Sequence, residues 1–165
     1  MANQTLRVIA SRKIFEPLGR FLAQGLSAKE MALSIAIGVT LGTMPVLGIA
    51  TILCALAAIV LRLNLPVIQF ANYLVYPLQI TLLAPFYYLG DLFFGGQQEM
   101  RFETLKDMLS GMTNKETITM IFDATLNAIG AWLIISPIIL ALLYAALKPV
   151  LIRIHARSSR LKFIR

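Results

Sequence analysis

Met31 to Leu61, MALSIAIGVTLGTMPVLGIATILCALAAIVL, contains no Asp, Glu, Lys, Arg or His. As one continuous helix at about 1.5 Å per residue it would reach about 46 Å, against a hydrocarbon core of about 30 Å. It is also interrupted near its middle, where Gly42, Pro45 and Gly48 fall within one short segment. Proline removes an amide donor and clashes with the preceding turn, and glycine weakens a helix and admits positive φ. The arms on either side, Met31 to Thr43 and Ile49 to Leu61, are each about 20 Å long as helices, too short to cross. The stretch reads as a re-entrant helical hairpin that turns on Gly-Pro-Gly and leaves the bilayer where it entered. Its competitor is a single long, tilted helix kinked at the proline. Non-helical backbone at membrane depth must be buried by protein or wetted by a cavity, so the tip is the first candidate site.

The rest of the chain belongs in the same solvent. Of its 165 residues 58% are apolar, the mean hydropathy is +0.77, and further charge-free runs occupy Leu63–Gly90 and Ala124–Leu147. Each is long enough to span, which a soluble core of this size would not require. The expected fold is an all-α membrane protein: the hairpin, about two transmembrane helices and amphipathic interfacial helices. The segments read as a basic amphipathic cytoplasmic part (1–30), a membrane domain (31–147) and a basic cytoplasmic tail (148–165). Within the membrane domain lie the hairpin (31–61), a proline-broken span (63–90), an external loop (91–123) and a last span (124–147).

The formal charge is +7, and its placement gives the sidedness. Arg7, Arg12, Lys13, Arg20 and Lys29 precede the first run; Lys148, Arg153, Arg157, Arg160, Lys162 and Arg165 follow the last; Asp91 to Asp123 holds only Arg101, Lys106 and Lys115. Both termini are therefore expected in the cytoplasm, with the loop outside. Three crossings would put one basic end outside, whereas a returning hairpin plus two crossings keeps both inside. No cleavable signal peptide is expected, for no compact apolar segment with a cleavage site precedes Met31. Cys54 is the only cysteine, which excludes an intramolecular disulfide.

Ile14, Phe15, Leu18, Phe21, Leu22 and Leu26 form a helical stripe beside cations, suited either to an anionic inner leaflet or to the protein's own cytoplasmic face. Ser27 and Glu30 fit a capping box, so the first arm begins near Ala28. Gly38 and Gly42 share a face on which another helix, such as a partner arm, can approach closely. Arg62 is the only charged residue between Met31 and Gly90. It suits a snorkelling anchor, a contact to a substrate anion or lipid phosphate, or a pair with Asp91. Pro77 and Pro85 disfavour a straight second run, whose freed carbonyls with Asn72 and Gln79 would line a polar path or be satisfied between packed helices. Were this run also re-entrant, the crossing count would fail. Phe102, Leu105, Met108, Leu109 and Met112 mark a short interfacial helix, and Thr113 to Glu116 repeats the capping pattern before the last helix, which Ser136-Pro137 should kink. Trp132 lies too deep for an aromatic belt and suits helix packing. The tail reads as a surface-bound helix or mobile arm in which His155 is solvated.

Gly38, Gly42, Pro45, Gly48 and Thr51, then Arg62, Asn64 and Pro66, then Pro77-Leu78, then Pro85, Tyr88 and Gly90 form an ordered set. It resembles the DUF2062 family, bacterial integral membrane domains of unknown function. The resemblance covers about Ala28 to Gly90, extends more loosely through the last helix, and implies a small inner-membrane protein. One departure stands out: in that family an Asn usually precedes the proline matching Pro77, and here it is Tyr76. Any role of that Asn does not transfer, and the family supplies no substrate or reaction.

Enzymatic chemistry is the least supported class, because the sequence has no metal-ligand cluster, nucleophile elbow or phosphate-cradling loop, and calls for no cofactor. Nucleic-acid binding is disfavoured, since the membrane accounts for the basic arms. The first expectation is movement of a small or lipid-linked anionic substrate across or within the bilayer, with Arg62, Asn64, Asn72, Gln79 and Thr51 as candidate contacts. Gly38, Gly42, Pro45, Gly48, Pro66, Pro77 and Pro85 shape the tip and kinks. The opposing expectation is a non-transporting assembly module that holds partner membrane proteins, or a second copy of itself, through its small-residue faces and basic ends. Anionic lipid headgroups are expected partners under both.

Overall fold

A computed structural model describes residues 26–95 and 115–162. Four helices and no strand are found among the described residues: α1 (Ala28–Gly42), α2 (Ile49–Val60), α3 (Leu65–Phe94) and α4 (Lys115–Lys162). The stripe at 14–25, the short helix at 102–112 and the capping pattern at 113–116 lie wholly or partly outside the described residues, as do the side chain of His155 and residues 163–165.

The expected capping box opens α1. Ser27 Oγ accepts from the Glu30 amide at 3.2 Å, while the Ser27 amide donates to Glu30 Oε2 at 3.0 Å. The helix closes at Thr43, whose hydroxyl donates to Thr40 O at 2.8 Å. Thr43 to Gly48 is non-helical, so the first apolar run is two helices, not one rod.

Three buried clusters set the helix directions. Ala28, Met31 and Ala32 meet Val67 and Leu151 at one end of the bundle. Ile37 meets Cys54, Ala58 and Ile68 at the middle. Met44 meets Phe86, Ala128 and Trp132 at the far end. α1 and α3 therefore run the same way, α4 runs against them, and α2 comes back beside α1.

α3 runs unbroken from Leu65 through Pro77 and Pro85 to Phe94, about 45 Å. The second run is thus one continuous helix and not the expected broken span. Each proline removes a single donor, and the backbone bonds on either side persist. α4 likewise continues through Pro137 and Pro149 as a 48-residue helix, so no helical boundary falls at 124 or 148. Leu65–Phe94 and Ile121–Ile154 are both long and apolar enough to cross a membrane. Their exposed residues, among them Leu74, Leu78, Ile80, Leu133, Ile138 and Leu142, give the bundle an apolar exterior of the kind hydrocarbon covers.

Candidate functional site

The site is built on a close helix crossing. A Cβ added at Gly38 would sit 2.4 Å from Ile68 O and 2.8 Å from Ala71 Cβ, and one at Gly42 2.9 Å from Asn72 Oδ1. These two glycines let α1 lie directly on α3, a different partner from the returning arm α2 that the sequence suggested. Ile68, Ala71 and Asn72 occupy the same face of α3 and fill the space that glycine leaves. The small-residue face is thereby used inside the chain.

A row of amides lies beside this crossing, two of them buried and Gln69 half-buried. Gln69, Asn72 and Gln79, with Tyr76 between, recur at helical spacing along α3. Asn72 is 6% exposed and Gln79 3%. Gln79 Nε2 donates to Met44 O at 2.8 Å and more weakly to Val46 O at 3.4 Å, satisfying carbonyls that the non-helical tip leaves without helical partners. Gln69 Nε2 donates to Thr51 O at 2.9 Å; Asn72 Nδ2 lies 3.5 Å from Thr51 Oγ1 and 3.4 Å from Gln69 Oε1. On the opposite side of the tip, Trp132 Nε1 donates to Thr43 Oγ1 at 3.4 Å. Trp132 is 5% exposed and packs on Met44 and Phe86, as its depth in the sequence suggested.

Of the five expected contacts, the structure brings three together. Thr51, Asn72 and Gln79 line the seam where α2 and the tip rest on α3. Asn64 and Arg62 sit in the α2–α3 turn, with Asn64 about 22 Å from Gln79 along the helix axis. Asn64 caps α3, its Oδ1 accepting from the Val67 amide at 3.1 Å, with Pro66 in the first helical turn. Arg62 is exposed and left-handed, φ 53°. Around it the Leu63 amide donates to Ala58 O at 2.9 Å and the Arg62 amide to Ile59 O at 3.3 Å, the paired bonds of a Schellman cap at the position glycine usually holds. Pro77 and Pro85 are exposed and lie off the amide face, so their freed carbonyls do not join the buried amides in one path.

Gln69, Thr43 and Trp132 belong to this layer and were not among the expected residues. The spacing of Gln69 from Asn72 was a signal for the first; nothing local to the sequence pairs Trp132 with Thr43, 89 positions apart.

Cations outnumber acids at one end of the bundle, where Glu30 stands beside Lys29. Lys29, Arg62, Lys148 and Arg153 gather towards the end marked by Ala28, Val67 and Leu151, where Lys148 also lies 5.6 Å from the Tyr144 ring centroid. Asp91 and Asp123 lie towards the opposite end, near the 2.9 Å hydrogen bond between Tyr87 and Thr125.

Residues 12–160 match the family described as "Uncharacterized protein conserved in bacteria (DUF2062)". The chain belongs to this family. No curated protein and no solved structure matches it. In this DUF2062 chain Tyr76, standing where the resemblance led one to expect Asn, is half exposed and sits one turn from both Asn72 and Gln79. The amide row is therefore interrupted by an aromatic ring on its outer flank.

Proposed function

We propose that this DUF2062 chain is a bacterial inner-membrane protein in which α1 and α2 form a re-entrant hairpin entered from the cytoplasm. α3 and α4 cross the bilayer, and a small or lipid-linked anionic substrate moves along the seam between α2 and α3. The observation that carries the reading is the amide row Gln69, Asn72 and Gln79, set in a helix that is largely apolar and carries no charged residue before Asp91. Polar side chains at membrane depth are costly and usually serve a path or a partner. Placement is supported by length, for α1 and α2 extend about 22 and 18 Å, short of a 30 Å core. Sidedness is supported by the cations gathered at one end. Arg62 at the α2–α3 turn supplies the positive charge at which an anion would first be held, and its left-handed backbone is a cost of about 1 kcal/mol that a purely structural cap would avoid with glycine.

Two measurements test this. In a Cys54→Ala background, Met44→Cys labelled by an impermeant maleimide from neither face, with Gly95→Cys labelled from outside only, is expected. Labelling that places Leu61 opposite Met31 would remove the hairpin. Vesicles holding the full chain are expected to move an anionic lipid or solute faster than empty vesicles, with loss in Arg62→Ala. No movement across a broad substrate panel, together with a stable partner recovered by crosslinking, would favour the assembly module instead.

A further inference from the structure

We propose that α2 is a hinged gate over the amide row, held shut by a latch from Gln69 and Asn72 to Thr51. Both of its ends lie at left-handed residues. Gly48, φ 87°, precedes it with nothing within 4 Å of the space a Cβ would take, and Arg62, φ 53°, follows it. Its inward face is mostly small, with Ala50, Cys54 and Ala58 buried and Leu53 partly buried against the Met44, Phe86 and Trp132 cluster. Its outward face is bulky and open: Ile52, Leu56, Ile59 and Val60 are exposed, the last two 74% and 76%. It rests on α1 and α3 alone to any extent.

The solvent decides what such a helix needs to stay in place. Lipid is as apolar as the side chains it would replace, so no hydrophobic term holds α2 against its neighbours. Dispersion and hydrogen bonds remain, and the small inward face limits the first. Gln69 Nε2 to Thr51 O at 2.9 Å is then the principal specific contact, with Asn72 Nδ2 to Thr51 Oγ1 at 3.5 Å a weaker second. Opening leaves no orphaned backbone on α2, since Thr51 O lies in a helix and keeps its intrahelical donor. It frees the amides of Gln69 and Asn72 into the gap. The tip cannot follow, because Gln79 and Trp132 hold Met44 and Thr43, so α2 pivots at Gly48. The inference rests on the membrane placement proposed above and on no particular substrate.

The chain's own cysteine reports the motion. Cys54 is 0% exposed on the inward face of α2, against Ile37 and Ile68. With the full chain in lipid vesicles, N-ethylmaleimide is expected to modify Cys54 faster than Ala36→Cys in a Cys54→Ala background, an equally buried position on α1. Gln69→Leu is expected to raise the Cys54 rate about fivefold, the change one net hydrogen bond supports. Tyr87→Phe, which cuts the bond to Thr125 far from α2, is expected to leave it unchanged. Equal rates at positions 54 and 36, no change in Gln69→Leu, or an equal rise in Tyr87→Phe would each overturn the gate. Misplacement of the hairpin is read separately, from labelling at position 44.

Discussion

α1 and α2 come from one apolar run and are built on opposite terms. α1 buries nine of its residues, presses Gly38 and Gly42 backbone to backbone on α3, and reaches α4 at its start through Met31, while Met44 of the tip that follows it meets α4 at the far end. α2 buries three and, Leu53 apart, turns its large side chains outward. In water the second arrangement would be unstable, because four or more exposed branched residues on one short helix demand cover. In hydrocarbon it costs little, and association falls to close packing and polar contacts. Two helices of similar composition thus become a fixed element and a loosely held one according to where their small residues point.

The sharpest way to break this contrast is to remove the close approach. Gly38→Ala puts a methyl group 2.4 Å from Ile68 O, which only separation of α1 from α3 relieves. A loss of about 2–3 kcal/mol is expected, at the upper end for overpacking, read as the fall in thermal or denaturant midpoint in detergent. Gly48→Ala meets open space but must hold φ 87°, for about 1 kcal/mol. Gly48→Asn should recover part of that loss, since Asn tolerates the left-handed region, while Gly38→Asn should be worse than Gly38→Ala. Equal costs at the two glycines would mean that α1 is no more firmly seated than the loop.

Next in size is Gln79→Leu. It leaves the buried Met44 carbonyl without its 2.8 Å donor, an expected loss of about 1–3 kcal/mol. The same change should let maleimide reach Met44→Cys. If stability falls and position 44 stays closed, the tip is held by Trp132 and packing, and the fixed half of the comparison does not depend on the amide.

These two predictions also mark what the sequence disclosed. The break between Gly42 and Ile49, the Ser27–Glu30 cap and the two helices long and apolar enough to span were legible because each follows from local rules of φ, capping and length. Asn64 was legible as polar, and its place before Leu65-Pro66 also fits an N-cap, the role its Oδ1 takes towards the Val67 amide. Pro77 and Pro85 were over-read as a break, since a proline removes one bond from a helix whose other bonds are intact. The partner of Gly38 and Gly42 was not legible at all. A small-residue face says that a helix comes close without saying which, and α2 and α3 both offered apolar faces. Contacts such as Trp132 to Thr43 depend on how α4 is laid against the tip, which no local pattern encodes.

Arg62→Gly separates stability from use at the loose end of α2. The left-handed strain it relieves, about 1 kcal/mol, is partly offset by the extra freedom glycine has when unfolded, so a net gain of about 0.5 kcal/mol is expected. A more stable protein that no longer moves substrate would show the guanidinium to be retained for its charge. A less stable one would show that Arg62 anchors the turn to headgroups, and the loose arm would then be tethered at one end.

The smallest effect tests whether the fixed arm is also pinned at its start. Hydrogen bonds from the Ser27 hydroxyl, and then from the Ser27 amide, hold the Glu30 carboxyl below its ordinary range. A carboxylate whose folded value is depressed stabilises above its unfolded pKa and loses that contribution as pH falls through the folded value. Protection of the Ser27 and Met31 amides, taken as exchange relative to the intrinsic rate at each pH, should therefore fall as the solution is acidified through that lowered range. Glu30→Gln should flatten the dependence, and Ser27→Ala should weaken the cap by about 1 kcal/mol at neutral pH. Should α2's first turn, opened by Gly48 with no side-chain cap, show the same acid response, the carboxyl would be acting on the whole hairpin rather than on α1, and the division between a pinned arm and a hinged one would fail at its base.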